Sequence, residues 1–234
     1  MAPQMKRFYQ VVSLAPSGAG SQLLLDGKAA KTPAGNLLAV EHRRLGEAIA
    51  DEWRAQDKKI ELANMPMTRL AIGVADHIAP RMSDVLNDTL RYGATDLLCY
   101  RAETPERLVE RQARAWQPFL DWAARDLDAR LTVAVGVVAI DQDAASLAAL
   151  RGKLASLDAY RLLVAQGLTM RFGSLVLALA VIEGEASALE AFEVSRIDET
   201  FQAEIWGTDA EAEKHVALIR REVEDFSRFL SLLD

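Results

Sequence analysis

The sequence predicts an α+β protein with a small β-rich N-terminal domain, an antiparallel sheet with a covering helix, over residues 1–65, and a larger all-helical domain over residues 66–234. Three observations predict it. Apolar residues alternate with period two before residue 40, as half-buried strands do. From about residue 42 the period changes to three and four, as in amphipathic helices. The run Gly173 to Ile182 has no polar face at all, so it belongs at the centre of a helical bundle rather than on its surface.

Phe8, Val12 and Leu14 fall on one face of an extended run, which predicts a first strand from Lys6 to Leu14, followed by the loop Pro16-Ser17-Gly18-Ala19-Gly20. Asp26-Gly27, between Gln22–Leu25 and Lys28–Lys31, supplies the positive φ angles of a tight hairpin turn. Thr32-Pro33-Ala34-Gly35-Asn36 is a second turn cluster, and Leu37–Val40 a short returning strand. Leu45, Ile49 and Trp53 recur every four residues, so a helix over His42–Gln56 covers the sheet.

Thr68 is the expected N-cap of the next helix, and Pro80 divides the run that follows into two. Thr104-Pro105 reads as a cap with proline at the first helical position. The stripe after it is Val109, Ala113, Trp116, Leu120, Ala123 and Leu127, with Pro118 inside. A further helix covers Ala144–Leu154. Val216, Ile219, Val223, Phe226, Leu230 and Leu233 give the last helix one inward stripe. The β-branched stretch Thr132–Val138 is either a strand or plain extended chain.

Composition narrows the function. Thirty-four acidic against 27 basic side chains give a net charge of −7, which repels nucleic-acid phosphates. No run approaches the roughly 20 apolar residues of a membrane span. The single cysteine, Cys99, cannot form an internal disulfide, its apolar neighbours predict a buried inert thiol, and the N-terminus lacks the character of a targeting segment. These features predict a cytoplasmic protein; the expected state of the free chain is a monomer. His42, His77 and His215 are too scattered to bind a metal, and phosphate-binding glycine motifs are absent, so neither metal nor cofactor is expected. Ser174 reads as a small residue at a helix contact.

The richest polar constellation is Asp198 to Asp209, in which Asp198, Glu199, Gln202 and Glu204 precede Trp206-Gly207, and Asp209 is placed to cap a following helix. It is a solvated acidic face, a recognition patch for a basic or polar partner, or a source of paired carboxylates for acid–base chemistry. Asp96 and Arg101 pair with each other across a turn or meet a partner. On the recognition-patch reading the candidate partner-binding residues are Asp198, Glu199, Gln202, Glu204, Asp209 and Arg101, with Trp53, Trp116 and Trp206 as structural anchors. An enzyme built on Asp96, Arg101 and the Asp198–Asp209 carboxylates is the alternative, as is a helical interaction protein with another client.

Several separated runs together resemble one known family along essentially the whole chain. They are Lys6-Arg7-Phe8-Tyr9, Leu25-Asp26-Gly27-Lys28 with Lys31-Thr32-Pro33, Glu52-Trp53 with Ala55-Gln56, and Met65-Pro66-Met67-Thr68. Thr95 to Ala102, Arg111-Gln112 with Trp116 and Pro118, Gly173 to Ala178, and Asp198-Glu199 with Gln202 and Trp206-Gly207 complete the set. In order, they resemble the assembly chaperones for the α subunit of the F-type ATP synthase catalytic head. Gln117 and Met67 stand where that family's pattern has Asp and Leu. The resemblance implies a β-rich N-terminal and a helical C-terminal domain, no enzymatic activity, the free α subunit as partner, and a bacterial relative of the mitochondrial factor. It also implies functional sensitivity in the acidic segment before Trp206.

Overall fold

The structure is a computed structural model that describes residues 5–18, 20–136, 138 and 140–233. Two compact units form, one from Met1–Met82 with Arg228–Asp234 and the other from Ser83–Ser227. The expected boundary at 65/66 differs from this division. The helical run after Pro66 stays with the sheet because its N-terminus is held by a carboxylate of the first unit.

In the first unit, β1 (Met5–Lys6), β2 (Val12–Ser17), β3 (Gly20–Leu25), β4 (Lys28–Ala29) and β5 (Ala39–Val40) precede α1 (Arg43–Arg54), and β6 (Lys59–Ile60) follows it. β3 is central: β2 pairs along it from Val12↔Leu25 to Ser17↔Gly20, while β4 and β5 share its other edge, all antiparallel. The expected strand over Lys6–Leu14 is broken in two, β1 pairing with β6 instead. The break arises because the Asp26 carboxylate accepts the backbone N–H groups of Gln10 and Val11, at 3.0 and 2.8 Å, and turns that segment out of the ladder. β2 also runs through Pro16 and Ser17, shortening the expected loop to the turn around Gly18; Ala19, in that loop, lies outside the described residues.

α1 lays Leu45, Ile49 and Ala50 on the sheet, as its four-residue period predicts. Glu52, on the same buried side, accepts the N–H groups of Met67 and Thr68, each at 2.8 Å, and thereby closes the start of α2 (Pro66–Gly73). Thr68 is thus inside the helix, not its cap; Pro66 occupies the first turn and Glu52, from α1, supplies the cap acceptor. Burial raises the Glu52 carboxyl above its usual range.

The run does not divide cleanly at Pro80. A widened turn (Val74–Ile78) and a tight turn (Ala79–Arg81) absorb the proline, and α3 (Met82–Ala94) continues. Asp76 in the widened turn accepts from Thr32 Oγ1 at 2.6 Å, Asn36 Nδ2 at 2.8 Å and Ala34 N at 3.2 Å, which fixes the Thr32–Asn36 turn.

The second unit continues through β7 (Tyr100–Arg101), α4 (Glu106–Asp126), β8 (Ala134–Val135), α5 (Ala144–Ala155), α6 (Ala159–Phe172), α7 (Leu175–Ile182), α8 (Ala188–Ser195), α9 (Ile197–Trp206) and most of α10 (Ala210–Ser231). α7 is the core helix the sequence predicts, with Leu175 to Val181 all buried. Gly173, at φ 67°, ends α6 in the left-handed region. Ser174 then accepts Leu177 N and caps α7, a more specific role than the small contact residue expected.

β8 pairs in parallel with β7, so part of the Thr132–Val138 stretch is a strand; Val137 lies outside the described residues. α4 begins one residue later than expected, with Pro105 as its N-cap. Its inward stripe is Leu108, Gln112, Trp116, Phe119, Leu120 and Ala123, which leaves the expected Ala113 exposed. No helix among the described residues is long and apolar enough to cross a membrane.

Candidate functional site

α4 organises the site. Gln112 sits in its apolar stripe and is almost fully buried, so both ends of its amide need partners. Its Oε1 accepts Ala102 N at 2.8 Å and its Nε2 donates to Asp198 Oδ1 at 2.6 Å, joining the segment after β7 to the first turn of α9. One position earlier, Arg111 grips Glu204 with both ends of its fork, at 2.7 and 2.9 Å, and lies over the Phe201 ring at 5.4 Å. That pairing holds the Glu204 carboxyl below its usual range. Ile197 and Phe201, on the same helix, are buried.

α9 is therefore fastened along one side. Ile197, Phe201 and Glu204, spaced by four and three, serve the side toward α4, and Asp198 is tied beside them. Glu199, Gln202 and Trp206, spaced by three and four, share the opposite face. Glu199 and Gln202 are exposed; Arg196 lies 3.6 Å from the Glu199 carboxylate. Beyond Trp206, Gly207 stops the helix at φ 82°, and Asp209 accepts the N–H groups of Glu211 and Ala212, starting α10 as the sequence predicts.

Trp206 is not the buried anchor expected. It is 80% exposed, and Ile205 beside it is 51% exposed. The reason is geometric: the inward stripe of α9 passes through Ile197 and Phe201 and next meets Glu204, leaving Trp206 on the far side. Trp116 is fully buried, and its Nε1 donates to Val194 O at 2.9 Å. Trp53, in the other unit, is half-buried against the Tyr9 ring at 5.6 Å, and its backbone carbonyl accepts the Tyr9 hydroxyl at 2.7 Å.

Asp96 and Arg101 do not pair. Asp96 is wholly buried, where its carboxylate accepts Leu98 N at 3.1 Å and Val176 N at 3.0 Å; burial raises its pKa to about 6. Arg101 donates to Leu98 O at 2.9 Å and Gln112 O at 3.0 Å, with its guanidinium over Trp116. Cys99 is also buried, and burial pushes its thiol up to about 12, far from a reactive thiolate. Asp96 is thus occupied by backbone N–H groups, while Asp198 and Glu204 are engaged by Gln112 and Arg111 on α4. Among the described residues, no three His, Cys, Asp or Glu side chains gather as a metal site would need.

The sequence pattern by itself assigns Arg111 and Gln112 no role. The available signal was a glutamine within the stripe Leu108, Trp116, Phe119 and Ala123, since an amide placed there must be bridging something.

The comparisons with known proteins agree with one another. The profile of the family described as "ATP12 chaperone protein" matches residues 6–124. The mitochondrial protein atp12 of Schizosaccharomyces pombe is 23% identical over 218 residues, covering 88% of this chain and 75% of that protein. The crystal structure of Atp12 from Paracoccus denitrificans is 41% identical, with a TM-score of 0.95 over 98% of this chain and 99% of that one. An aspartate-to-lysine mutant of the Paracoccus protein is 40% identical and also has a TM-score of 0.95, over 98% of each chain. On sequence profile and on whole-chain structure alike, this chain belongs to the ATP12 chaperone family.

Proposed function

We propose that this chain binds the free α subunit of the F-type ATP synthase catalytic head before it meets its β partner, acting as a monomer in the bacterial cytoplasm and without catalysing a reaction. A subunit of an obligate ring exposes an apolar interface while alone, and such a surface drives aggregation. Covering it reversibly needs recognition rather than chemistry.

The observation that carries this reading is the outward face of α9, where Glu199 and Gln202 are exposed on a helix that α4 holds fast from behind. Glu199 and Gln202 make the contact, and Glu204, both of whose oxygens Arg111 already holds, borders it. Asp198, Asp209 and Arg101 shape the surface, since Gln112, the start of α10 and the carbonyls of Leu98 and Gln112 already engage them.

The test is light scattering of isolated α subunit diluted from denaturant, with and without an equimolar amount of this protein. Wild type suppresses the scattering, and Glu199→Lys, folded as wild type, does not. No suppression by wild type would overturn the proposal and favour a different client.

A further inference from the structure

The exposure of Trp206 demands a physical account. An indole is the largest apolar side chain, and here it stands at the very end of α9 with exposed Ile205 next to it. The indole stays open where the chain leaves α9: a side chain added at Gly207 would meet no atom within 4 Å, and the chain continues through Thr208 to start α10. Isolated apolar residues on a surface are ordinary, but two large ones side by side on a fastened helix end are a different case.

We propose that Trp206 is the anchor of the partner interface, entering an apolar pocket on the partner that is rimmed by lysine or arginine. The sign of the rim follows from charge complementarity. Between Ile197 and Glu213 the chain carries Asp198, Glu199, Glu204, Asp209, Glu211 and Glu213 and not one Lys or Arg. A tryptophan framed by carboxylates fits an apolar pocket with a cationic border and is repelled by an acidic one.

The ties behind the helix complete the arrangement. Arg111–Glu204 and Gln112–Asp198 fix α9 before any partner arrives, so the indole is presented in one direction and little order has to be gained on binding. Arg111 and Gln112 are then positioning residues, not contacts. This inference rests on the α-subunit reading for the identity of its occupant, and on exposure and charge for everything else.

The experiment is the affinity of the full chain for isolated α subunit, measured by titration for wild type, Trp206→Ala, Trp206→Phe and Leu218→Ala. Leu218 is an exposed apolar residue on α10 and serves as the control. Trp206→Ala weakens binding by about 30-fold or more. Trp206→Phe, which keeps an aromatic body, loses less than about 10-fold. Leu218→Ala binds as wild type, and all variants melt together. Raising the salt weakens wild-type binding, and Glu199→Lys flattens that dependence. If wild type binds and Trp206→Ala binds equally well, the anchor is overturned while the α-subunit reading stands. If wild type does not bind the α subunit, that reading fails and takes the occupant with it.

Discussion

Trp116 and Trp206 lie in the same unit and near the same acidic segment, yet one is sealed and the other stands in water. Trp116 projects from the inward stripe of α4, its indole N–H bonded to Val194 O and its face covered by the Arg101 guanidinium at 5.3 Å. Trp206 leaves α9 after the inward stripe has ended. The carboxylates divide in the same way: Asp96 is wholly inside and serves backbone N–H groups, while Glu199 is exposed and lies 3.6 Å from Arg196. Residue type therefore does not separate fold from function here. Position on the helix, and whether the polar atoms already have partners, does.

The contrast can be broken from its buried side first. Trp116→Ala removes a fully enclosed indole and should cost about 3–5 kcal/mol of stability, read from the denaturant midpoint. A loss below about 1 kcal/mol would mean that the site collapses to fill the space.

Asp96→Asn is next. The amide keeps one acceptor but turns an NH₂ toward a backbone donor, so about 1–3 kcal/mol should be lost near neutral pH. The pH dependence sharpens this. The folded-state value of about 6 lies above the ordinary 3.8, so the folded chain binds this proton more tightly than the unfolded one. Stability from that group is complete below 3.8 and is lost as pH rises through 6. The gap between wild type and Asp96→Asn should therefore widen by about 2 kcal/mol as pH falls from 7 to 4.5, in paired unfolding curves.

Smaller effects test the outward side. Arg111→Ala removes an exposed ion pair and should change stability by less than about 1 kcal/mol, while partner affinity falls several-fold because α9 is less firmly held. Trp206→Ala should leave stability within about 0.5 kcal/mol of wild type, a null effect on folding that would make its loss of binding interpretable. A drop as large as that for Trp116→Ala would show the indole to be structural after all.

Much of this fold was legible because its signals are local. The Asp26-Gly27 turn, the four-residue period of α1 and the all-apolar α7 each state their structure within ten or so residues. What stayed hidden depends on distant partners. Glu52 capping α2, Asp26 breaking the first strand and Asp76 holding the Thr32–Asn36 turn join residues separated by 15 to 44 positions, and no periodicity reports such pairs. The site was half legible. The acidic segment before Trp206 stood out by composition, and the Asp209 cap by its place after a glycine. Which carboxylates were free and which were tied was settled by Arg111 and Gln112, 86 to 93 residues away in sequence. The same gap explains Trp206, since a tryptophan in a helical run reads as core until the partner of that run's inward face is known.

The most direct test of the central claim is hydrogen–deuterium exchange on the full chain, free and with excess α subunit. The account predicts slowed exchange confined to residues 197–213, centred on the last turn of α9, with α7 and the sheet unchanged. Protection that appears elsewhere while α9 exchanges as in the free protein would contradict it.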